Sequence, residues 1–438
     1  MSFLYMPMEI AARELDSRLL ISLFAARSGL EVVIGQKWLL QKNARWMPKG
    51  FWIFKTLTPG DAKHMQRIKN LGHRIGAIDE EMPGIGDSRQ PLRWVDKRSV
   101  DAAEAIFCLG EKHVASMNRA YPEHKEKLLI TGNPRWDFLR PDLRQLYEKD
   151  AQKIKQDFGP IILINTNIGR LNSSKASPEA IIRAQIKDGR IDLKREVDRE
   201  FTDAGEAWER ANFAAIAPLA RRLSKEFPDH LIVLRPHPTE KLVTYEQALA
   251  GEKRVKIIRE GPAASWIAAS DLLVHTSCTT ATEAYALGQP SVCFQPAPSL
   301  MHNYFLSGAL SVIAKSEDGV IDAARSIFAG KKDVQMEEEW KAIFNSFFAA
   351  QTGEFASERI ANHVAQALSV NKNSGPPLWK PGLLFRKKWF PTKFQRRIFP
   401  LQTADEITAR LEALATIFGG ISVPKVQQIG DGQYHIHQ

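Results

Sequence analysis

The residues best able to do chemistry lie between Leu231 and Pro290. LIVLRPHPTE runs from an apolar segment into a polar turn. DLLVHTSCTTATEAYALGQP does the same and continues into a helix that carries a glutamate. Two strand ends are thereby expected to present Arg235, His237, Thr276, Ser277, Thr279, Thr280 and Glu283 on one rim. Cations, hydroxyls and a helix N-terminus suit a phosphate, and a carboxylate one turn into the helix suits a ribose. Pro236 and Pro238 hold the chain extended, which fixes Arg235 and His237 just past a strand. A rigid turn with an exposed histidine is the plainer alternative. Likewise Thr280 and Glu283 have capping-box spacing, so Glu283 could serve only the cap.

A second group is acidic. IDEEMPGIG places Asp79, Glu80 and Glu81 together at a strand end, where like charges repel and one carboxyl could be raised in pKa to act as a general base. Glu80 and Glu81 come first, Asp79 next. Gly84 and Gly86 are expected to let the loop approach a substrate, and a solvated acidic loop is the alternative. In NTNIGRLN, Asn165, Asn167 and the backbone around Gly169 could line the phosphate side. Glu9 and Arg13 follow the first strand and could touch an acceptor, or could pair with each other at i, i+4 on a helix. TGNPRWD (131–137) reads as structural, in a hinge.

Strands and helices must position these groups. Apolar runs at 3–7, 30–35, 51–56, 73–79, 103–110 and 127–134 alternate with amphipathic helices, the first from Glu9 to Arg27 with Leu15, Leu19, Leu20, Leu23 and Phe24 on one face. The pattern restarts at 160–170 and continues through 231–238, 254–260, 271–278 and 290–296. Helices are expected at 206–227, 265–269, 316–330, 336–369 and 403–418, and a surface insertion or lid at 173–205. Alternating β and α elements imply parallel sheets covered on both faces. The fold class expected is α/β, with two doubly wound Rossmann-like domains facing a cleft and a C-terminal extension. The expected boundaries are 1–150 for an acceptor domain, 151–370 for a nucleotide-sugar donor domain and 371–438 for a basic aromatic tail plus helix, with the linker at 140–157.

Bulk properties narrow the class. A chain of 438 residues suffices for two cores, and 44% hydrophobic with 25% charged residues is a globular balance. No apolar run approaches the roughly 20 residues of a membrane span. The opening MSFLYMPMEIAARELD lacks a basic n-region and cleavage site and reads as a strand running into a helix. Cys108, Cys278 and Cys293 sit in apolar segments without zinc-ligand spacing. No metal site and no cofactor are expected beyond a nucleotide sugar as substrate, and the expected location is cytoplasmic, peripheral at the inner face of the membrane.

The order and spacing of MPMEIAARELDSRLLISLFAARSG, IDEEMPG, TGNPRWD, ILINTNIG, VLRPHP and HTSCTTATEAYALGQP resemble bacterial surface-carbohydrate biosynthesis proteins of GT-B type, over residues 3–370. The RPHP and Thr-Ser elements are also similar to those of GT-B sialyltransferases and Kdo-type transferases. That resemblance implies a CMP-sugar phosphate held by His237, Thr276 and Ser277, with Glu80 or Glu81 as base and a glycan or lipid-linked acceptor. Here the pair is Thr-Ser rather than Ser-Ser. The pattern also resembles non-hydrolysing UDP-GlcNAc 2-epimerases and polyglycerol-phosphate transferases, and a non-catalytic assembly factor is a further alternative.

The net charge of +10 is partly local, since residues 371–400 hold eight basic residues and no acid. Within 376–399, aromatic and basic residues interleave. That mixture suits an anionic membrane surface, or a proline-rich strap packed on the body. RNA could use the same composition, but no nucleic acid is expected as a partner.

Overall fold

A computed structural model describes residues 2–80, 82, 85, 86, 89, 93–331, 334–369 and 392–438. The chain divides into two compact units. One comprises Met1–Glu81, Trp94–Leu143 and Ser346–Gln438; the other comprises Met82–Arg93 and Arg144–Asn345. The sequence expectation drew contiguous boundaries at 150 and 370. In the structure, besides the short excursion Met82–Arg93, the chain changes unit at Leu143/Arg144 and returns at Asn345/Ser346, and the expected linker is largely the helix Gln145–Phe158.

The first unit is built on β1 (Ser2–Met8), β2 (Leu30–Gln36), β3 (Gly50–Phe54), β4 (Arg74–Ile78), β5 (Ala105–Cys108) and β6 (Leu128–Ile130), all parallel in the order β2-β1-β3-β4-β5-β6. Near-continuous apolar runs are what a sheet buried on both faces requires. Tyr5 stacks on Trp52 with ring centroids 4.8 Å apart and donates its hydroxyl to Pro48 O at 2.8 Å. Gly50 lies where a Cβ would come within 2.3 Å of Phe3 O, so only glycine lets β3 register against β1 here. Helix α1 (Ala11–Arg27) buries Leu15, Leu19, Leu20, Leu23 and Phe24.

The second unit holds β7 (Ile161–Asn165), β8 (Leu231–Arg235), β9 (Val255–Ile257), β10 (Leu272–His275), β11 (Ser291–Phe294) and β12 (Val312–Ala314). All are parallel, in the order β12-β11-β10-β7-β8-β9. The helix Glu196–Glu226 runs 31 residues and buries Trp208, Asn212, Ile216, Leu219, Ala220 and Leu223 on one stripe. It starts ten residues before the expected 206. The expected lid at 173–205 therefore contains its first turns and the helix Pro178–Lys187, whose N-cap Ser177 accepts from Ala180 N.

The C-terminal stretch belongs to the first unit. The helix Ala356–Ser369 packs on α1, and Asp137 of TGNPRWD accepts from Ala356 N at 2.9 Å and Ser357 N at 2.8 Å, which caps that helix from a distance. Burial raises the Asp137 carboxyl to about 6 against the pull of those N–H groups. The helical stretch expected at 336–369 comprises two helices, Val334–Phe347 and Ala356–Ser369. The helix Ala404–Ile417 starts with a Thr403/Glu406 capping box. The hairpin of β13 (Lys425–Gly430) and β14 (Gln433–His437) then adds β14 antiparallel to β2, giving an eight-stranded sheet. The sequence reading did not foresee this hairpin.

Candidate functional site

In the second unit the strand order reverses at β7, whose terminal Asn165 is paired with Arg235 of β8 on one side and His275 of β10 on the other. Such a switch point, outside the carboxyl ends of parallel strands, is where open α/β sheets bind ligands. Three loops meet there. The carboxylate of Glu240, fully buried, ties two of them together: Oε1 accepts from Thr166 Oγ1 at 2.8 Å, Ile168 N at 3.0 Å and His237 N at 3.1 Å, while Oε2 accepts from Tyr245 OH. The sequence reading passed over Glu240 because it follows the RPHP motif rather than standing in it.

That tie sets the histidine. His237 is exposed, and its Nδ1 accepts from Thr239 N at 3.3 Å, with Thr239 Oγ1 at 2.7 Å. In the neutral ring the proton therefore sits on Nε2, which makes that nitrogen a donor. Gly169 adjoins the pair: a Cβ there would lie 2.9 Å from Thr239 Oγ1 and 3.8 Å from His237 Nδ1. The third loop leaves β10 through Ser277, which takes φ +65°, a conformation costly for a side-chain-bearing residue. Ser277 N donates to His275 Nδ1 at 3.1 Å, so His275 Nε2–H faces Ser311 Oγ at 2.9 Å. Burial lowers the His275 pKa to about 3 and keeps it neutral.

The next helix, Thr280–Leu287, has Thr279 at its N-cap with no side-chain cap, and the Thr280/Glu283 capping box does not form. The first turn of this helix is thus not closed by its own sequence. Thr279, Thr280, Glu283, Asn167 and Gly169 are half-buried around it. Asn167 Nδ2 lies 3.5 Å from Ser277 O and Asn165 Nδ2 donates to Thr280 Oγ1 at 2.9 Å, so the β7 and β10 loops are also joined.

Three expected phosphate ligands are placed otherwise. Arg235 directs its guanidinium to the carbonyls of Glu260 at 2.7 Å, Gly261 at 2.9 Å and Arg259 at 3.3 Å, over the Trp266 ring. It fastens the loop after β9, and burial draws its pKa down to about 10. Thr276 and Ser277 are buried by the turn, with Ser277 Oγ near Cys293 Sγ at 3.8 Å. Asn165 Oδ1 and Thr276 Oγ1 are buried without a hydrogen-bond partner. Each such atom costs on the order of 1–3 kcal/mol, a cost that concentrates at functional sites.

The first unit has its own switch point at β1, flanked by β2 and β3. Its rim is ionic. Glu9, after β1, pairs with Lys37 at 2.8 Å and Lys55 at 2.7 Å. Burial alone would raise Glu9, but the two lysines outweigh it and hold it at about 2. Arg13 donates to Glu80 O at 2.7 Å and Arg18 to Glu80 Oε1 at 2.8 Å. The alternative of a Glu9–Arg13 helix pair is absent, since Glu9 precedes the helix. Glu14, not singled out in the sequence, accepts from Glu9 N at 2.9 Å and Ile10 N at 3.2 Å.

Glu80 does not have the raised pKa expected of a base. Burial pushes it up, but Arg18, Arg135, Arg13 and Lys55 together hold it below the ordinary carboxylate range. The raised carboxyl is Glu14, driven up by burial against Lys55, with the Glu80 charge adding to it. Asp79 is buried beside Glu80. Glu81 and Gly84 lie outside the described residues. Gly86 N–H donates to Tyr304 O at 2.9 Å and Ile85 bridges Phe305, within the second unit. Of the basic segment 376–399, residues 376–391 lie outside the described residues, and Phe399 is buried. Among the described residues no helix is long and apolar enough to cross a membrane.

No family model matches the chain, and no curated protein matches it by sequence. Solved structures do. The structure of S. aureus MnaA with UDP is 14% identical, covers 86% of this chain and 100% of its own, with a TM-score of 0.52. A UDP-N-acetylglucosamine 2-epimerase is 12% identical over 86% of this chain and 99% of its own, at 0.52. The UDP-GlcNAc 2-epimerase of Methanocaldococcus jannaschii is 12% identical over 83% and 99%, at 0.51. At such identities the likeness carries the fold: the chain has the α/β, two-Rossmann-domain GT-B fold.

Proposed function

We propose that the protein is a nucleotide-sugar enzyme, a glycosyltransferase that moves a sugar to a glycan or lipid-linked acceptor in making a surface polysaccharide such as lipopolysaccharide or capsule. The observation that carries the reading is the assembly at the β7 switch point. There Glu240 holds His237 N, Thr239 N–H donates to His237 Nδ1 and leaves Nε2 as the donor, and the helix that follows β10 starts without a side-chain cap. In this reading Nε2–H and the helix N-terminus receive the charge that develops on the leaving phosphate. Thr279, Thr280 and Asn167 line the phosphate, and Glu283 takes a ribose hydroxyl. The acceptor oxygen bonds to the sugar carbon as the bond from that carbon to the phosphate oxygen breaks. The acceptor proton passes to a carboxylate, Asp79 or Glu81, and Glu80 holds the ionic rim beside Asp79.

A second reading, epimerisation of a UDP-sugar without any acceptor, is favoured by the names of the similar structures. Calorimetry with UDP- and CMP-sugars tests the shared part; binding of none of them removes both readings. Proton NMR of the bound sugar nucleotide incubated without acceptor then separates them. Conversion to an epimer selects the second reading, and a stable nucleotide sugar consumed only with acceptor selects the first.

A further inference from the structure

The basic excess of the chain has a second centre, apart from 376–399. Between Val32 and Ile78 the sequence carries nine Lys or Arg residues and one acid, Asp61, a local +8 within the total of +10. Asp61 is buried and accepts from Thr56 Oγ1 at 2.6 Å, so it does not offset the surface cations in space. The cations gather where helix α2 (Lys37–Asn43) runs into the short 3-10 turn Ala44–Trp46. Leu40, Ala44 and Met47 face the core. The opposite face shows Trp38, Lys42, Arg45 and Trp46, with Lys49 just beyond.

The two tryptophans are the unusual part. Trp38 is 36% and Trp46 60% exposed, and Trp46 is among the most exposed large hydrophobic side chains described. Each carries a cation against its ring: Lys37 lies 5.7 Å from the centroid of Trp38, and Arg45 4.4 Å from that of Trp46. Helix α3 (Pro59–Asn70) extends the same charge, because Arg67 donates to Gln41 O at 2.5 Å and Lys63 is exposed on the same helix. On a soluble surface two exposed indoles gain little beyond these cation–π contacts. At an interface between water and acyl chains they gain more, since the ring prefers that depth and cations beside it meet anionic headgroups. The chain's own 376–399 segment is basic as well, so charge speaks against it as the cover.

We propose that the Lys37–Lys49 face of the first unit docks on an anionic lipid surface, with Trp38 and Trp46 entering the headgroup layer and Lys42, Arg45, Lys49 and Arg67 meeting the lipid charge. The proposal is independent of the assigned reaction and of the basic tail.

All three cysteines are buried, so a single exposed cysteine can be labelled selectively. The full chain with Lys42→Cys carrying a polarity-sensitive dye is mixed with phosphatidylcholine vesicles with or without phosphatidylglycerol. Sedimentation and a blue shift are expected only with phosphatidylglycerol. Trp38→Ala with Trp46→Ala should weaken binding of this labelled chain by on the order of tenfold, and Arg45→Glu and Lys49→Glu by at least about fivefold each, with thermal midpoints unchanged. Binding without a blue shift, or binding indifferent to these changes, assigns contact to another part of the chain and overturns the proposal. So does binding of a single-stranded oligonucleotide, sensitive to the same changes, with vesicles left unbound.

Discussion

The two switch points solve one task with opposite chemistry. In the second unit the rim is largely neutral: hydroxyls, amides and two histidines, organised by one buried carboxylate whose acceptors are nearly all used. In the first unit the rim is a lattice of charge in which Glu9, Glu14 and Glu80 alternate with Arg13, Arg18, Lys37 and Lys55. A neutral rim fixed by hydrogen bonds can present donors to a ligand without rearranging. An ionic lattice is sensitive to the removal of any one member, because its partners are left charged and buried. The first rim should therefore reveal itself in stability, the second in ligand affinity.

The largest effect is expected at Glu80. Glu80→Gln leaves the guanidinium of Arg18, 0% exposed, without its ion-pair partner at 2.8 Å. We expect a loss of about 3–5 kcal/mol in stability, read from the denaturant midpoint at constant slope. Replacing both partners, Arg18→Met with Glu80→Met, should recover part of it, since that pair then needs no desolvation while Arg13, Arg135 and Lys55 still lose the Glu80 charge. A Glu80→Gln protein of unchanged stability but without turnover would return Glu80 to the role of base and erase the contrast between the rims.

Effects at the second rim should be smaller and of another kind. Glu240→Gln keeps the size of the side chain but places an amide where one oxygen gathers Thr166, Ile168 N and His237 N. Nucleotide-sugar affinity is expected to fall about tenfold, roughly 1.4 kcal/mol. Gly169→Ala puts a methyl 2.9 Å from Thr239 Oγ1, and Thr239 must shift with the His237 ring it orients. A drop of about three- to tenfold in affinity with less than about 1 kcal/mol of stability lost is expected, measured by calorimetry beside denaturant unfolding. Loss of stability without loss of affinity in both would mean the loops are only structural.

What the sequence disclosed follows the same divide. Strands were legible because sheets buried on both faces need unbroken apolar runs, and IILIN, LIVLR and LLVH announce themselves. His237 and the helix after HTSCTT were legible because motif residues abut strand ends. Which motif atoms face outward was not legible. Arg235 turns to three backbone carbonyls, and the left-handed Ser277 buries both itself and Thr276, outcomes set by backbone direction rather than residue type. Glu240 and Glu14 act through contacts with backbone N–H groups, which leave no pattern in side-chain spacing. The closing hairpin was hidden because Lys425–Gly430 lies at the sheet edge and is largely polar, so the apolar alternation of a strand is missing.

A pH dependence sharpens the account of the ionic rim. Lys55 and Lys37 outweigh burial and hold Glu9 at about 2 in the folded chain, against an ordinary value of 4.5 in the unfolded one. Below 4.5 the unfolded chain takes up this proton first, so the contribution of Glu9 is fully present above that pH and is lost as pH falls towards about 2. Its side chain is 30% exposed, and solvent screening reduces the contribution to about 1–2 kcal/mol. Glu9→Gln should therefore lower stability by that amount at neutral pH and flatten the part of the stability curve between pH 4.5 and 2, as followed by urea unfolding at a series of pH values. His73 and His113, both lowered to about 4 by burial, begin their own loss below about 6.5 and are untouched by the change. A Glu9→Gln curve that differs from the parent's above pH 5 by nothing, or below pH 2 by as much as at neutrality, would show that the two lysines do not hold this carboxylate and that the rim is less tightly coupled than its distances imply.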